Sequence, residues 1–329
     1  MLSKNIFRLR GIAKAASMTG LLGVVSFLST SAQAQSLKSW HETMKHSAPT
    51  ETGCFQTSYP STSWKKTTCG MTNYRSEPRV SPSMMTVGNG NDYAAQTTNV
   101  TTSATGSFPV VTGVTSETGG TTANSYTLQL NTNTANGSPA CASYGYSSCQ
   151  VWEQFIYSSA YAGGVPQVFI QNWMFIPRHA RCPGGWNHYS TSAYNGCYKN
   201  SSAVNVTQVP ASQLGNLKLS GSVSANGNDT VTFINGTTAY SVNQPDTTLG
   251  MAYVWKQSEY NVVGNGGGSA ATFNTGSSIT VNLQVNDGTT NAPTCLANAG
   301  STGETNNLNL GACTTSGGTS PAIQFTESN

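Results

Sequence analysis

Few side chains in this sequence of 329 residues can do acid–base chemistry, since only twelve are carboxylates and four are histidines. Most of the carboxylates sit where water would claim them. Asp92, Asp229, Asp246 and Asp287 adjoin Gly, Asn or Pro in turn-like sequence, and Glu117 follows a strand in SETGG. Glu42, Glu51, Glu77, Glu304 and Glu327 fall in a lead-in or a tail. Glu153 in VWEQF and Glu259 in KQSEYNVV differ, because both read as lying inside apolar, aromatic-rich strands. An ionised group there loses hydration unless it is paired. These two are the candidates for general acid or base work. Gln129 in YTLQLNTN joins them. Alternation turns Leu128 and Leu130 one way and Thr127, Gln129 and Asn131 the other. A neutral amide can donate a hydrogen bond to a developing oxyanion at any pH. The plainer reading of each is a polar residue on an outer, solvated strand face.

Strands must position these residues. Met251 to Val263 reads as one strand, with Tyr253, Trp255, Gln257 and Glu259 on one face and Ala252, Val254, Ser258, Tyr260 and Val262 on the other. Residues 150–158 and 166–176 read as a hairpin across the Ala160–Gly164 turn. Gln171, between Phe169 and Trp173, is an amide in apolar company that needs partners and is read as scaffold or groove lining. Further strand-like runs fall at 107–115, 125–133, 202–209, 214–224, 229–241 and 278–286, with a short AIQFT near the end. Helical patterns are confined to 35–52 and ASQLGNL. With ten to twelve strands and no βα alternation, the expected fold is all-β: an antiparallel β-sandwich of concanavalin A-like or jelly-roll type.

Residues 1–34 read as a secretory signal peptide. Lys4, Arg8, Arg10 and Lys14 precede the apolar Leu21–Leu28, and Ala32-Gln33-Ala34 offers a cleavage site. The apolar run is shorter than the roughly 20 residues that a membrane span needs. Removing those four basic residues leaves eleven against twelve acids, a net charge of −1, so the overall +3 misleads. No basic patch for nucleic acid or anionic lipid remains. Charged residues are 8% of the chain, against about 25% in an average soluble protein. Such a composition suits a secreted, turn-rich β protein. Cys54, Cys69, Cys141, Cys149, Cys182, Cys197, Cys295 and Cys313 all follow the leader. An even count in that context implies disulfides. Their grouping into four local couples makes nearest-neighbour pairing the economical expectation.

Other templates fail on spacing. In HETMKH the histidines His41 and His46 are five apart, whereas a zinc helix needs four. GNGGGS at 264–269 lacks the dinucleotide-binding spacing and reads as a turn. No nucleophile elbow or phosphate loop is present. No metal or cofactor is expected.

Three segments, taken in order, resemble the eqolisin family of glutamic peptidases, which are secreted, acid-acting proteases built as a double antiparallel sandwich. YTLQLNTN resembles the LQTG-type strand that carries the family's catalytic glutamine. CQVWEQFIY resembles the next, YEWYP-type strand, and KQSEYNVVG the later strand that carries the catalytic glutamate. By position, Gln129 matches the glutamine and Glu259 the glutamate, while Glu153 falls near the glutamate of the middle strand. The glycine of LQTG and the proline of YEWYP are absent. The order of strands, the Cys-Tyr of GCYKNS and the leader are also similar to the neprosin peptidases. That group uses two glutamates and would pair Glu153 with Glu259.

The resemblance implies a metal-free endopeptidase in which Glu259 activates water and Gln129 holds the oxyanion, with Glu153 as the alternative partner. Trp152, Gln171, Trp173, Tyr253 and Trp255 would line a groove for an extended protein or peptide substrate. The expected organisation is a leader (1–34), a lead-in or pro-segment (35–82), a catalytic sandwich (83–290) and a disulfide-containing extension (291–329), secreted to the extracellular or periplasmic space as a monomer. Two rivals share the architecture. One is a carbohydrate-binding module with exposed Trp152, Trp173, Trp186 and Trp255 as stacking platforms, and the other is a structural envelope protein.

Overall fold

The computed structural model describes residues 35–78, 93–297 and 302–329. The leader at 1–34 and the boundary at 82/83 lie outside these residues. Gln35–Asn329 forms one unit, built on two stacked ten-stranded antiparallel sheets. The main path of the back sheet runs Lys65–Lys66, Gly53–Ser58, Thr238–Pro245, Asn228–Asn235, Leu217–Ser222, Ser103–Thr112, Ser278–Asn286, Ala322–Ser328, Asn309–Leu310. That of the front sheet runs Asn187–Ser190, Asn195–Asn200, Gln167–Ile176, Gln150–Ser158, Tyr126–Thr132, Gln257–Gly264, Tyr93–Gln96, Thr294–Ala297. The protein is an all-β sandwich.

Alternation builds the core between the sheets. Leu128, Leu130, Phe155, Tyr157, Tyr260 and Val262 of the front sheet pack with Leu219, Phe233, Val281 and Leu283 of the back sheet. Fully burying a side chain of this size contributes about 1.5–3 kcal/mol. Tyr157 stacks on Phe233 at 4.4 Å between centroids, and Phe108 lies 5.1 Å from Tyr260. Two back-sheet glycines make room for these rings. A Cβ on Gly106 would stand 2.0 Å from the Tyr260 ring, and one on Gly221 2.2 Å from Phe155.

The flanking segments belong to the sandwich. The helix Leu37–His46 sets Trp40 and Met44 on Ile234 and Ala239 of the back sheet. Gly53–Ser58 pairs with Thr238–Pro245 in that sheet. From the expected extension, Thr294–Ala297 joins the front sheet and Ala322–Ser328 the back. The cysteines pair as nearest neighbours, Cys54–Cys69, Cys141–Cys149, Cys182–Cys197 and Cys295–Cys313. Four disulfides fit an oxidising, extracellular setting. No helix of the described residues is long and apolar enough to cross a membrane.

Several strand expectations change. The hairpin at 150–176 forms as expected, around a 3₁₀ turn at Tyr161–Gly163. The 229–241 run is two strands, Asn228–Asn235 and Thr238–Pro245, because Gly236 and Thr237 make a tight turn. Only Val204–Asn205 of 202–209 is strand. Met251–Val263 is not one strand. Met251–Tyr253 is a 3₁₀ turn, and the strand is Gln257–Gly264. Asp246 causes the break, its main-chain oxygen accepting from Gly250 N at 2.6 Å and its Oδ1 from Ala252 N at 3.1 Å. These bonds curl the chain before it can enter the sheet.

Candidate active site

Gln129 and Glu259 share the outer face of the front sheet. In the register of Tyr126–Thr132 against Gln257–Gly264, Gln129 lies opposite Asn261 and Asn131 opposite Glu259. Gln129 and Glu259 are therefore diagonal neighbours, on the order of 7–8 Å apart along the sheet. The Asn131 side chain stands between them. Its Nδ2 donates a short hydrogen bond to Glu259 Oε2 and a longer one, 3.4 Å, to Gln129 Oε1.

The glutamine amide is held in one orientation. Gln154 Nε2 donates to Gln129 Oε1 at 3.1 Å and to Asn131 Oδ1 at 2.9 Å. Thr302 Oγ1 reaches the same Gln129 oxygen at 3.5 Å. With its carbonyl so engaged, Gln129 directs its NH₂ toward the Tyr74 hydroxyl at 3.1 Å and Thr127 Oγ1 at 3.3 Å. All these side chains are fully buried, where an unmade hydrogen bond is costly. The sequence placed Asn131 on the Gln129 face but gave it no role. Gln154 was missed, although alternation about Glu153 sets it on the face opposite that carboxylate.

Glu153 points the other way. It enters the space between the sheets, where Gln244 Nε2 of the back sheet donates to its Oε2 at 3.2 Å and also to Asn172 Oδ1 at 2.8 Å. Its neighbour there is Asp229, which is not in a turn but buried in the strand Asn228–Asn235. Burial, then the Asp246 charge, push the Glu153 carboxyl up to about 8, with Asp229 and the Gln244 amide acting the other way. Burial and the charge of Glu153 hold Asp229 well above its usual range. Glu153 and Glu259 thus lie on opposite faces of one sheet and are not brought together.

The expected groove residues divide. Trp152 and Trp173 sit on the Gln129 face, ring centroids 6.4 Å apart, in a buried cluster with Phe175 and Tyr194. Gln171 lies between them and Gln129, its Oε1 accepting from Trp173 Nε1 at 3.0 Å. Tyr253 and Trp255 leave this group because their strand begins only at Gln257. Tyr253 is 47% exposed, and Trp255 turns into the core against Phe155, its Nε1 donating to Gln257 O at 2.9 Å. With Trp152, Trp173 and Trp255 each 0% exposed, three of the four supposed sugar platforms are not platforms.

A segment of the chain covers the site. Gly70–Pro78 runs over the outer face, and the front sheet's side chains bind its main chain. Gln171 Nε2 donates to Tyr74 O at 2.9 Å, and Gln171 Oε1 accepts from Ser76 N at 3.0 Å. Asn200 Nδ2 donates to Thr72 O and Tyr74 O at 3.2 and 2.8 Å, and Gln167 Nε2 to Met71 O at 3.1 Å. Glu304, which the sequence placed in an idle tail, accepts from Glu77 N at 2.8 Å and Gly268 N at 3.1 Å. Burial raises its carboxyl above the ordinary value. No group of His, Cys, Asp and Glu among the described residues could hold a metal ion.

No family model matches the chain, and no curated protein matches it. Among solved structures it is similar to scytalido-glutamic peptidase, in a crystal structure with a transition-state analogue inhibitor. The identity is 11%, the match covers 72% of this chain and 98% of that chain, and the TM-score is 0.29.

Proposed function

We propose that this protein is a secreted, acid-acting endopeptidase in which Glu259 is the general base and Gln129 stabilises the oxyanion. One observation carries the reading: a carboxylate and an oriented amide stand on one sheet face, tied together by Asn131. Glu259 takes a proton from water as the water oxygen bonds to the scissile carbonyl carbon. The carbonyl oxygen gains the electron pair and is met by Gln129 Nε2. Protonated Glu259 then passes its proton to the amide nitrogen, the C–N bond breaks, and acid and amine depart. Asn131 positions Glu259, and Gln154 fixes the Gln129 amide.

The test is hydrolysis of a denatured protein by the folded, secreted chain from pH 2 to pH 7, with chelator present. Cleavage in acid that is lost in Glu259→Gln, with the fold intact by circular dichroism, supports the assignment. Full activity in Glu259→Gln, or no cleavage by any form freed of the covering segment, overturns it.

A further inference from the structure

We infer that Gly70–Pro78 is a built-in strap that fills the substrate groove as an extended peptide would, with Tyr74 plugging the catalytic amide. Its role in controlling activity rests on the peptidase reading. Its place in the groove rests on geometry alone.

The contacts are those of peptide recognition rather than of core packing. The groove side chains Gln167, Gln171 and Asn200 bond the strap's main-chain groups at Met71, Thr72, Tyr74 and Ser76. Two further carbonyls are taken by loops on the same face, Arg75 O by Gly267 N at 2.9 Å and Glu77 O by Gly303 N at 2.6 Å. Main-chain bonds of this kind accept any sequence. The large side chain that goes inward is Tyr74, with the small Ser76 also buried. Its ring packs 5.2 Å from Phe169 and 5.0 Å from Tyr161, and its hydroxyl ends on Gln129 Nε2. That hydroxyl occupies the place at the amide where an oxyanion must sit. Burial and the Glu304 charge push the Tyr74 hydroxyl far above its ordinary range, so it stays a neutral phenol.

The strap is anchored at both ends. Upstream, Gly70 exchanges main-chain bonds with Ala203, and the Cys54–Cys69 disulfide ties it to the back-sheet strand. Downstream, Glu77 is clasped by Tyr189 Oη, 2.8 Å from both carboxylate oxygens, and by Arg75 at 3.2 Å, with the Arg75 guanidinium lying 3.8 Å over the Tyr189 ring. The Tyr189 clasp is partly exposed and comes from an edge strand, and the other downstream holds, Glu77 N on Glu304 Oε1 and Glu77 O on Gly303 N, come from the loop at 302–304 rather than from either ten-stranded sheet. The upstream anchor is held by a sheet, since Gly53–Ser58 is integral to the sandwich. Opening therefore swings the strap out from its Glu77 end.

The test uses the full secreted chain with strap substitutions that leave the groove intact, Tyr74→Ala and, separately, Glu77→Ala. Amide hydrogen exchange across 70–78 should rise at least tenfold in both. A labelled peptide GMTNYRSEP should bind the variants and not the wild type, and the same peptide with Ala for Tyr should bind at least tenfold more weakly. Hydrolysis by the variants should show a lower KM at similar kcat. Folded variants that do not bind the peptide, or whose KM equals that of an active wild type, overturn the strap. Peptide binding with no hydrolysis at any pH sustains the occupied groove and overturns the peptidase reading. Glu77→Ala, altering a partly exposed side chain, keeps the test open if Tyr74→Ala fails to fold.

Discussion

Glu153 and Asp229 face each other across the two sheets, both carboxyls buried in the space between them. Neither Glu153 Oε1 nor either Asp229 oxygen has a hydrogen-bond donor among the described residues. Two buried carboxyls that feel each other's charge do not both ionise at ordinary cost, so the folded pair favours holding a proton. Around it stand the amides of Gln244 and Asn172, which are neutral, and the Asp246 carboxyl, which adds like charge. Among the described residues no Lys, Arg or His forms an ion pair with either carboxyl.

A pH dependence of stability follows. The unfolded chain loses the Glu153 proton near 4.5, whereas the folded chain keeps it to about 8. Between those values the native state binds more protons, so stability is full in acid and falls as pH rises through that window. The slope is about 1.4 kcal/mol per pH unit for each proton retained. Denaturant midpoints should fall steadily from pH 4.5 to pH 8, and Asp229→Asn should flatten the profile. A midpoint that rises over this range would contradict the argument.

The geometry also separates the two possible partners of Glu259. In a strap-released background, Gln129→Leu should lower kcat by about 10²–10³, the usual effect of losing one oxyanion donor, and KM should move little. Glu153→Gln should keep kcat within a few-fold while changing the pH profile of stability. Steady-state kinetics at acid pH on both variants decide it. An inactive but folded Glu153→Gln would favour the two-glutamate arrangement instead.

How much of this was legible in the sequence depends on whether the signal was local. Leu128, Leu130, Gln129 and Asn131 alternate cleanly, so the two faces of that strand could be read directly, as could the existence of the 150–176 hairpin, whereas the registers came only from the sheet. The four disulfides followed from spacing. Asp229 was misplaced because its neighbours Asn228 and Gly227 look like a turn, while the back sheet alone decides that the strand starts at Asn228. Tyr253 and Trp255 were misplaced because Asp246, several residues upstream, curls the chain. Glu304 and the covering segment could not be found by periodicity. Their bonds join residues far apart in sequence, and Gly70–Pro78 carries no strand pattern of its own.

The Cys54–Cys69 disulfide should matter beyond the loop it closes. A loop of about 15 residues is worth about 3 kcal/mol in the chain-entropy account. Here the same bond holds the upstream end of the covering segment against the back-sheet strand. Cys54→Ser with Cys69→Ser should therefore lower stability and also raise exchange across 70–78. Stability loss with unchanged exchange at 70–78 would show that Gly70 and Ala203 alone fix that end.

Gly106 and Gly221 lie under the face of the front sheet that carries Gln129 and Glu259. Phe155 directly follows Gln154, and Tyr260 directly follows Glu259, so each ring that fills a glycine notch is one residue from a site side chain on the opposite face. Alanine at Gly221 would place its Cβ 2.2 Å from Phe155, and at Gly106 2.0 Å from Tyr260. Neither ring can move aside freely, since both are packed between the sheets. Overpacking of this kind costs about 1–3 kcal/mol. Displacing Tyr260 would also shift Glu259 relative to Asn131. Gly106→Ala is thus expected to lower both the unfolding midpoint and kcat, and Gly221→Ala to lower the midpoint. Adding Phe155→Leu to Gly221→Ala should recover part of the stability by removing the clash. If the double variant is no more stable than Gly221→Ala, the cost lies in the backbone at Gly221 rather than in the ring above it.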